Sequence, residues 1–258
     1  MGHPRLLTLI CLVTLTFGPA SILRAEAPTD SLWLKAVAIS EKNDDLVPGL
    51  MKMHMQEVDK HGEPKDLDKY HEVWSTLSLG EDGEVEYEMI KTVENGEDVT
   101  EEEKAKEERE KAREKDSDGQ EGGDAESHEM RGYNPFDPEN QDAVSIVALG
   151  DGLAVNGKNT AVYEFSERTR DDVEISGKVW LEVDTGIPVR VEYTPDPLPK
   201  RVKHMVTTME YEHIYPDSLF VRHMFVEVTG GILFIKKHFH MDMTFDDYWR
   251  LPEGYGAE

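Results

Sequence analysis

Residues 50–58 read LMKMHMQEV, so Met51, Met53 and Met55 alternate with Lys52, His54 and Gln56. Successive side chains of an extended strand point to opposite faces, and a two-residue period therefore predicts a strand with one apolar side. The stretches HEVWSTLSL (71–79) and EVEYEMIKTV (84–93) flank the turn GEDG, and together they predict a hairpin that Asn95-Gly96 closes at its far end. Beyond residue 142 the chain again runs as strand-like stretches between turn signals: AVSIVAL, Asp151-Gly152, LAV, Asn156-Gly157, TAVYEFSE, VEISGKVWLEV, Asp184-Thr185-Gly186, IPVRVEY. The bend TPDPLPK leads to VKHMVTTMEYEHI, LFVRHMFVEV, the pair Gly230-Gly231, and finally ILFIKKHFHMDMTFD.

Helical spacing is confined to two places. In DSLWLKAVAIS, Asp30 is placed to cap a helix over about 31–42, with Leu32, Trp33, Ala36, Val37 and Ile39 at near-helical intervals. In TEEEKAKEEREKAREK, Thr100 and Glu103 have the spacing of a capping box, and pairs such as Glu102 with Lys106 and Glu107 with Lys111 support the helix. This second helix has no apolar stripe and runs into DSDGQEGGDAES, a linker-like composition. Residues 100–131 therefore read as a charged, partly flexible insertion, either a solvated surface loop or an arm that meets a partner. About ten strands at hairpin spacing with one early helix predict a mainly β, α+β fold built on a large antiparallel sheet or partly open barrel. The absence of a βαβ rhythm excludes a dinucleotide fold.

Charge and the first residues change the picture in two ways. The chain opens with Arg5 and an apolar run from Leu6 to Phe17, followed by small residues, which is the pattern of a secretory signal and too short for a membrane span. Cleavage is expected between residues 20 and 27, at Ala20, Ala25 or Ala27, leaving residues 28–258 as the mature domain in the periplasm. The single cysteine, Cys11, lies inside that run, so the exported chain has no thiol for disulfides, nucleophilic catalysis or metal ligation. A net charge of -26 repels phosphate backbones, which argues against nucleic acid and for neutral or basic partners.

At VWLEVDTGIPVRVEY (179–193) the chain resembles the outer-membrane lipoprotein-sorting superfamily, the LolA/LolB/RseB-like proteins, in which a strand, a tight glycine turn and an hPhr strand form a recurrent hairpin. The exported start, the early helix, EVDKHG, EDGEVEYEMI and the closing GILFIKKHFHMDMTFDDY follow in the same order. The resemblance implies a strongly curved antiparallel sheet, a half-open barrel, holding helices against its concave face. It also implies a non-enzymatic periplasmic carrier that takes a lipid or lipoprotein acyl chain in an apolar cavity between the curved sheet and the N-terminal helix, or an RseB-type envelope-sensing module that binds a protein partner. The hydrophilic 100–116 helix departs from this pattern, because it cannot serve as an apolar lid.

The candidate site comes from KHFHMDM. In a strand His238, His240, Asp242 and Thr244 share one face, while Phe239, Met241, Met243 and Phe245 share the other, with Leu233 and Ile235 extending the apolar stripe. Histidine and methionine therefore cannot hold one ion together, and a copper site that needs both kinds of donor is excluded. A zinc site built from His238 and His240 with a ligand from His204, His213 or His223 is the minority alternative to a polar face of His–carboxylate pairs. The apolar stripe of Met51, Met53, Met55, Phe239, Met241, Met243 and Phe245 is the expected ligand-binding surface, because methionine adapts to varied apolar shapes; a plain sheet core is the alternative. G-x-S-x-G, H-E-x-x-H and a phosphate-cradling glycine loop are all missing, and Asp171-Asp172 and Asp246-Asp247 would point to opposite faces. The chain is expected to be no enzyme and to need no cofactor. Tyr248, Trp249 and Tyr255 are expected to dock the C-terminal end.

Overall fold

The computed structural model describes residues 30–43, 45–80, 85–116, 133–152, 154–169, 173–213, 219–232 and 235–252. The expected signal segment, Asp171-Asp172, Leu233 and Tyr255 lie outside them. The elements in chain order are α1 (Ser31–Glu41), β1 (Leu46–Val47), β2 (Leu50–Val58), β3 (Tyr70–Leu79), β4 (Val85–Glu94), β5 (Glu97–Asp98) and α2 (Thr100–Asp116). A 3-10 turn (Pro138–Asn140) then precedes β6 (Val144–Asp151), β7 (Thr160–Arg168), β8 (Glu174–Glu182), β9 (Pro188–Asp196), β10 (Val202–Glu212), β11 (Phe220–Ile232), β12 (Ile235–Asp246) and β13 (Trp249–Arg250).

Eleven strands form one antiparallel sheet in the order β5-β4-β3-β2-β12-β11-β10-β9-β8-β7-β6. Every neighbour is a sequential hairpin except β2 beside β12, which joins the stretch before the insertion to the end of the chain. The terminal strands β5 and β6 do not pair with each other, so the sheet stays open, as the half-open architecture requires. One face, here called inner, carries the buried side chains: Tyr163 and Phe165 on β7, Val179 and Leu181 on β8, Val191 on β9 and Met209 on β10.

Helix α1 packs on this face through Trp33, which is fully buried, and Ala36. Its start is fixed as the sequence predicts: Asp30 Oδ1 accepts the Leu32 and Trp33 amides at 2.9 and 3.3 Å, and also the Tyr163 hydroxyl at 2.8 Å. Burial pushes the Asp30 carboxyl up, yet these three donors outweigh it and leave it below the usual carboxylate range. The turn before β9 meets α1 at Gly186 (φ 78°), where a Cβ would lie 2.8 Å from Lys35 Cβ and 3.1 Å from the Leu32 carbonyl oxygen. Only glycine serves both the left-handed backbone and the close approach.

Three expectations need correction. Gly230-Gly231 is not a turn: both residues lie within β11 and pair with Lys237 and Lys236, so the connection to β12 falls two residues later. Thr100 does not make a capping box, because its hydroxyl bonds to Thr92 on β4 while Asp98 Oδ1 accepts the Thr100 amide at 3.1 Å. Of LAV, the described Ala154 and Val155 form no strand; Val155 makes a single bridge to Lys158 across the Asn156-Gly157 turn. Tyr248 and Trp249 are docked as expected: β13 pairs with β1, Trp249 Nε1 donates to the Leu77 carbonyl at 3.2 Å, and Tyr248 packs on Phe220 at 4.5 Å.

Candidate functional site

The period-2 stripes meet across a strand boundary. Met55 stands opposite Met241, Met53 opposite Met243 and Met51 opposite Phe245. The rows continue on both sides: Met224, Met243, Met53 and Val73 lie in one cross-strand line, and Val226, Met241, Met55 and His71 in the next. Phe239 flanks the second row opposite Glu57. All seven candidate residues therefore share the inner face. Of these, only Phe245 is buried; Met51, Met53, Met55, Phe239, Met241 and Met243 keep part of their surface in solvent.

Methionine is segregated by face. Nine of the eleven methionines are described, and strand parity and register put all nine on the inner face, with Met89, Met205, Met209 and Met224 completing the set. Burial rises across the sheet from the partly exposed Met53 and Met55 to Met224 and Met209, which are 9% and 1% exposed. Among the described residues α1 makes its main packing contacts with β8 and the 3-10 turn, and α2 with β4. Neither helix has its main contact on β2, β3 or β12.

A second cover, which the sequence did not announce, reinforces α1. The strap Tyr133–Gln141 lies against the same half: Phe136 is fully buried 5.0 Å from the Trp33 ring, and Tyr133 stacks on Phe165 at 5.8 Å and Tyr193 at 5.0 Å. Trp33 Nε1 donates to Gln141 Oε1 at 2.8 Å, and Asn134 Nδ2 to Ser40 Oγ at 2.8 Å, so strap and helix are tied by side-chain hydrogen bonds. Under the strap the Tyr133 hydroxyl donates to Glu167 Oε2 at 2.6 Å. Burial raises the Glu167 carboxyl above its ordinary value, the Tyr133 hydrogen bond opposes that, and the Asp137 charge adds to it. The available signal was the aromatic pair Tyr133 and Phe136 in an otherwise polar, proline-containing stretch.

At its margin the methionine surface becomes polar. A shallow depression of about 160 Å³ has Met55 and Phe239 among its walls together with Tyr70, His71, Glu94 and Lys69. Glu57 closes that side and is itself engaged by Lys65 at 2.7 Å and Lys237 at 2.9 Å, whose hydrogen bonds hold its carboxyl below the ordinary range.

His54, His223, His238 and His240 occupy the outer face and have partners there, whereas His71 lies on the inner face opposite Met55. His238 Nδ1 is 2.8 Å from Thr229 Oγ1, His240 Nε2 is 3.5 Å from Glu227, His223 Nε2 is 2.9 Å from Asp242 and His54 Nδ1 is 3.0 Å from Glu72. Among the described residues no group of three or more His, Cys, Asp or Glu side chains could hold a metal ion. This removes the zinc option for His238 and His240 within those residues and leaves a polar face of His–carboxylate and His–hydroxyl contacts.

Several solved structures align with the chain at low identity. An outer-membrane lipoprotein-sorting protein domain from Vibrio parahaemolyticus aligns at 12% identity and a TM-score of 0.38, over 87% of this chain and 97% of that one. A LolA superfamily protein from Nitrosomonas europaea aligns at 10% identity and 0.33, over 84% and 94%. The MucA/MucB complex of Pseudomonas aeruginosa aligns at 9% and 0.22, over 84% and 97%. No family model and no curated protein matches the chain. The described residues contain no helix long and apolar enough to cross a membrane.

Proposed function

We propose that the protein is a non-enzymatic periplasmic carrier that holds a lipid or a lipoprotein acyl chain on the uncovered half of its inner face, as a participant in outer-membrane lipoprotein sorting. The observation that carries this reading is the in-register pairing of Met51, Met53 and Met55 with Phe245, Met243 and Met241 on a face that keeps solvent contact while its other half is sealed. A flexible, unbranched side chain accommodates a chain of varied length and bend, and each methylene withdrawn from water contributes about 0.8 kcal/mol. Release then requires only that the ligand leave an open face. The net charge of -26 keeps the carrier off anionic headgroups between encounters.

Native mass spectrometry of protein purified from an envelope fraction tests the reading. Bound lipid is expected, and Met53→Lys together with Met243→Lys should abolish it, because two ammonium groups would sit on the ligand surface. An empty wild-type protein overturns the carrier reading. If the empty protein instead co-purifies with a protein partner and loses it on deletion of residues 100–130, the RseB-type interaction reading takes its place.

A further inference from the structure

The four methionines at the centre of the inner face point to a second use of that face, and we propose that Met53, Met55, Met241 and Met243 form a thioether site for monovalent copper. Two registered pairs, Met55 with Met241 and Met53 with Met243, make a two-by-two block on adjacent strands. Cross-strand neighbours on one face have Cβ atoms about 5 Å apart, and same-face neighbours along a strand are separated by about 7 Å. Each side chain has three rotatable bonds and ends beyond its sulfur in a single methyl group, so all four sulfurs can turn toward a point above the block.

Donor chemistry selects the ion. Thioethers are soft ligands and favour copper(I), whereas zinc draws on cysteine, histidine and carboxylates. His54, between two of the methionines, faces the other way and meets Glu72 at 3.0 Å, and the one described histidine on the same face, His71, stands opposite Met55 on β3, at the edge of the block rather than within it. Each of the four keeps solvent contact, so an ion has a route in without opening the core. A neutral ligand set leaves the bound ion with its single positive charge, and a chain of net charge -26 attracts rather than repels that cation. This inference does not depend on the carrier reading, although the two would compete for one surface.

The test uses the full chain with Cys11→Ser, so that no thiol competes, and a coloured copper(I) chelator under ascorbate. One equivalent of copper should leave the chelator for the protein, and silver(I), the redox-inert analogue, should displace it. Replacing Met53, Met55, Met241 and Met243 together by leucine keeps volume and apolarity but removes every sulfur. That variant should bind copper more than about 100-fold more weakly, a loss at least as large as outer-shell substitutions produce at metal sites. Met205→Leu should bind as the parent does. The proposal is overturned if the parent takes no copper, if the quadruple leucine variant binds it unchanged, or if His71→Gln, or His54→Gln with His238→Gln and His240→Gln, is what abolishes binding. An apolar fluorescent probe keeps the readings apart, since the leucine variant should still bind it; loss of probe binding in both proteins would sink the carrier reading and leave the copper result standing.

Discussion

The two halves of the inner face are built from the same strand pattern and finished differently. On β7 to β9 the side chains are aromatic and β-branched, and Trp33, Phe136 and Tyr133 press onto them, leaving Val179, Leu181 and Val191 with no solvent contact. On β2 and β12 the apolar inner-face side chains are Met51, Met53, Met55, Phe239, Met241, Met243 and Phe245, and all but Phe245 stay partly exposed. Rigid shapes interlock with a fixed cover, whereas flexible ones tolerate a changing neighbour or none. The difference teaches that apolar alternation marks a face without saying what will lie on it; the residue type within the alternation carries that second piece of information.

The contrast can be broken most severely at Trp33. Trp33→Ala should destabilise the protein by about 3–5 kcal/mol, because it empties a sealed site and orphans Gln141 of its indole donor. Urea unfolding followed by far-UV circular dichroism would show it, while affinity for an apolar probe on the methionine half should change little. A smaller change is expected from Glu167→Gln, read as melting temperature against pH. A carboxyl whose folded pKa is raised stabilises most below its ordinary value and loses that contribution as pH rises toward the folded one. Glutamine keeps a carbonyl acceptor for Tyr133 and cannot ionise, so the variant should gain on the parent as pH rises through the carboxylate range and match it in acid. The smallest effect on stability belongs to Met53→Ala, about 1 kcal/mol, since a partly exposed site leaves no closed cavity behind. Its cost should appear in ligand affinity instead, and a stability loss as large as that of Trp33→Ala would erase the distinction between the halves.

Much of this arrangement was legible in the sequence where the period was strict. LMKMHMQEV became a strand with the expected bounds, and KHFHMDM separated into polar and apolar faces because alternation is a property of the extended backbone itself. Asp30 announced α1 because a cap acts through its nearest amides. The strap was not legible, since Tyr133–Gln141 has no period and gains its burial from Trp33, Phe165 and Tyr193, all distant in the sequence. Gly230-Gly231 misled for the opposite reason: two glycines favour a turn locally, but the pairing of β11 with β12 runs straight through them. Which methionines face solvent was also beyond the pattern, because it depends on where α1 and the strap end.

The open sheet has two unlike edges. At one, Thr100 bonds both backbone groups of Thr92, and the short β5 covers the next residues of β4. At the other, β6 carries no charge from Val144 to Gly150 and shows Val147 and Leu149 to water at 60% and 49%. Among the described residues no strand pairs with the outer side of β6, so this edge is a template for another strand, and the net charge of -26 opposes that approach. The acidity of the chain is therefore a colloidal safeguard as well as a binding property. It fades as pH falls toward the isoelectric point near 4.7, where the monomer stands closest to joining its sheets into a continuous one.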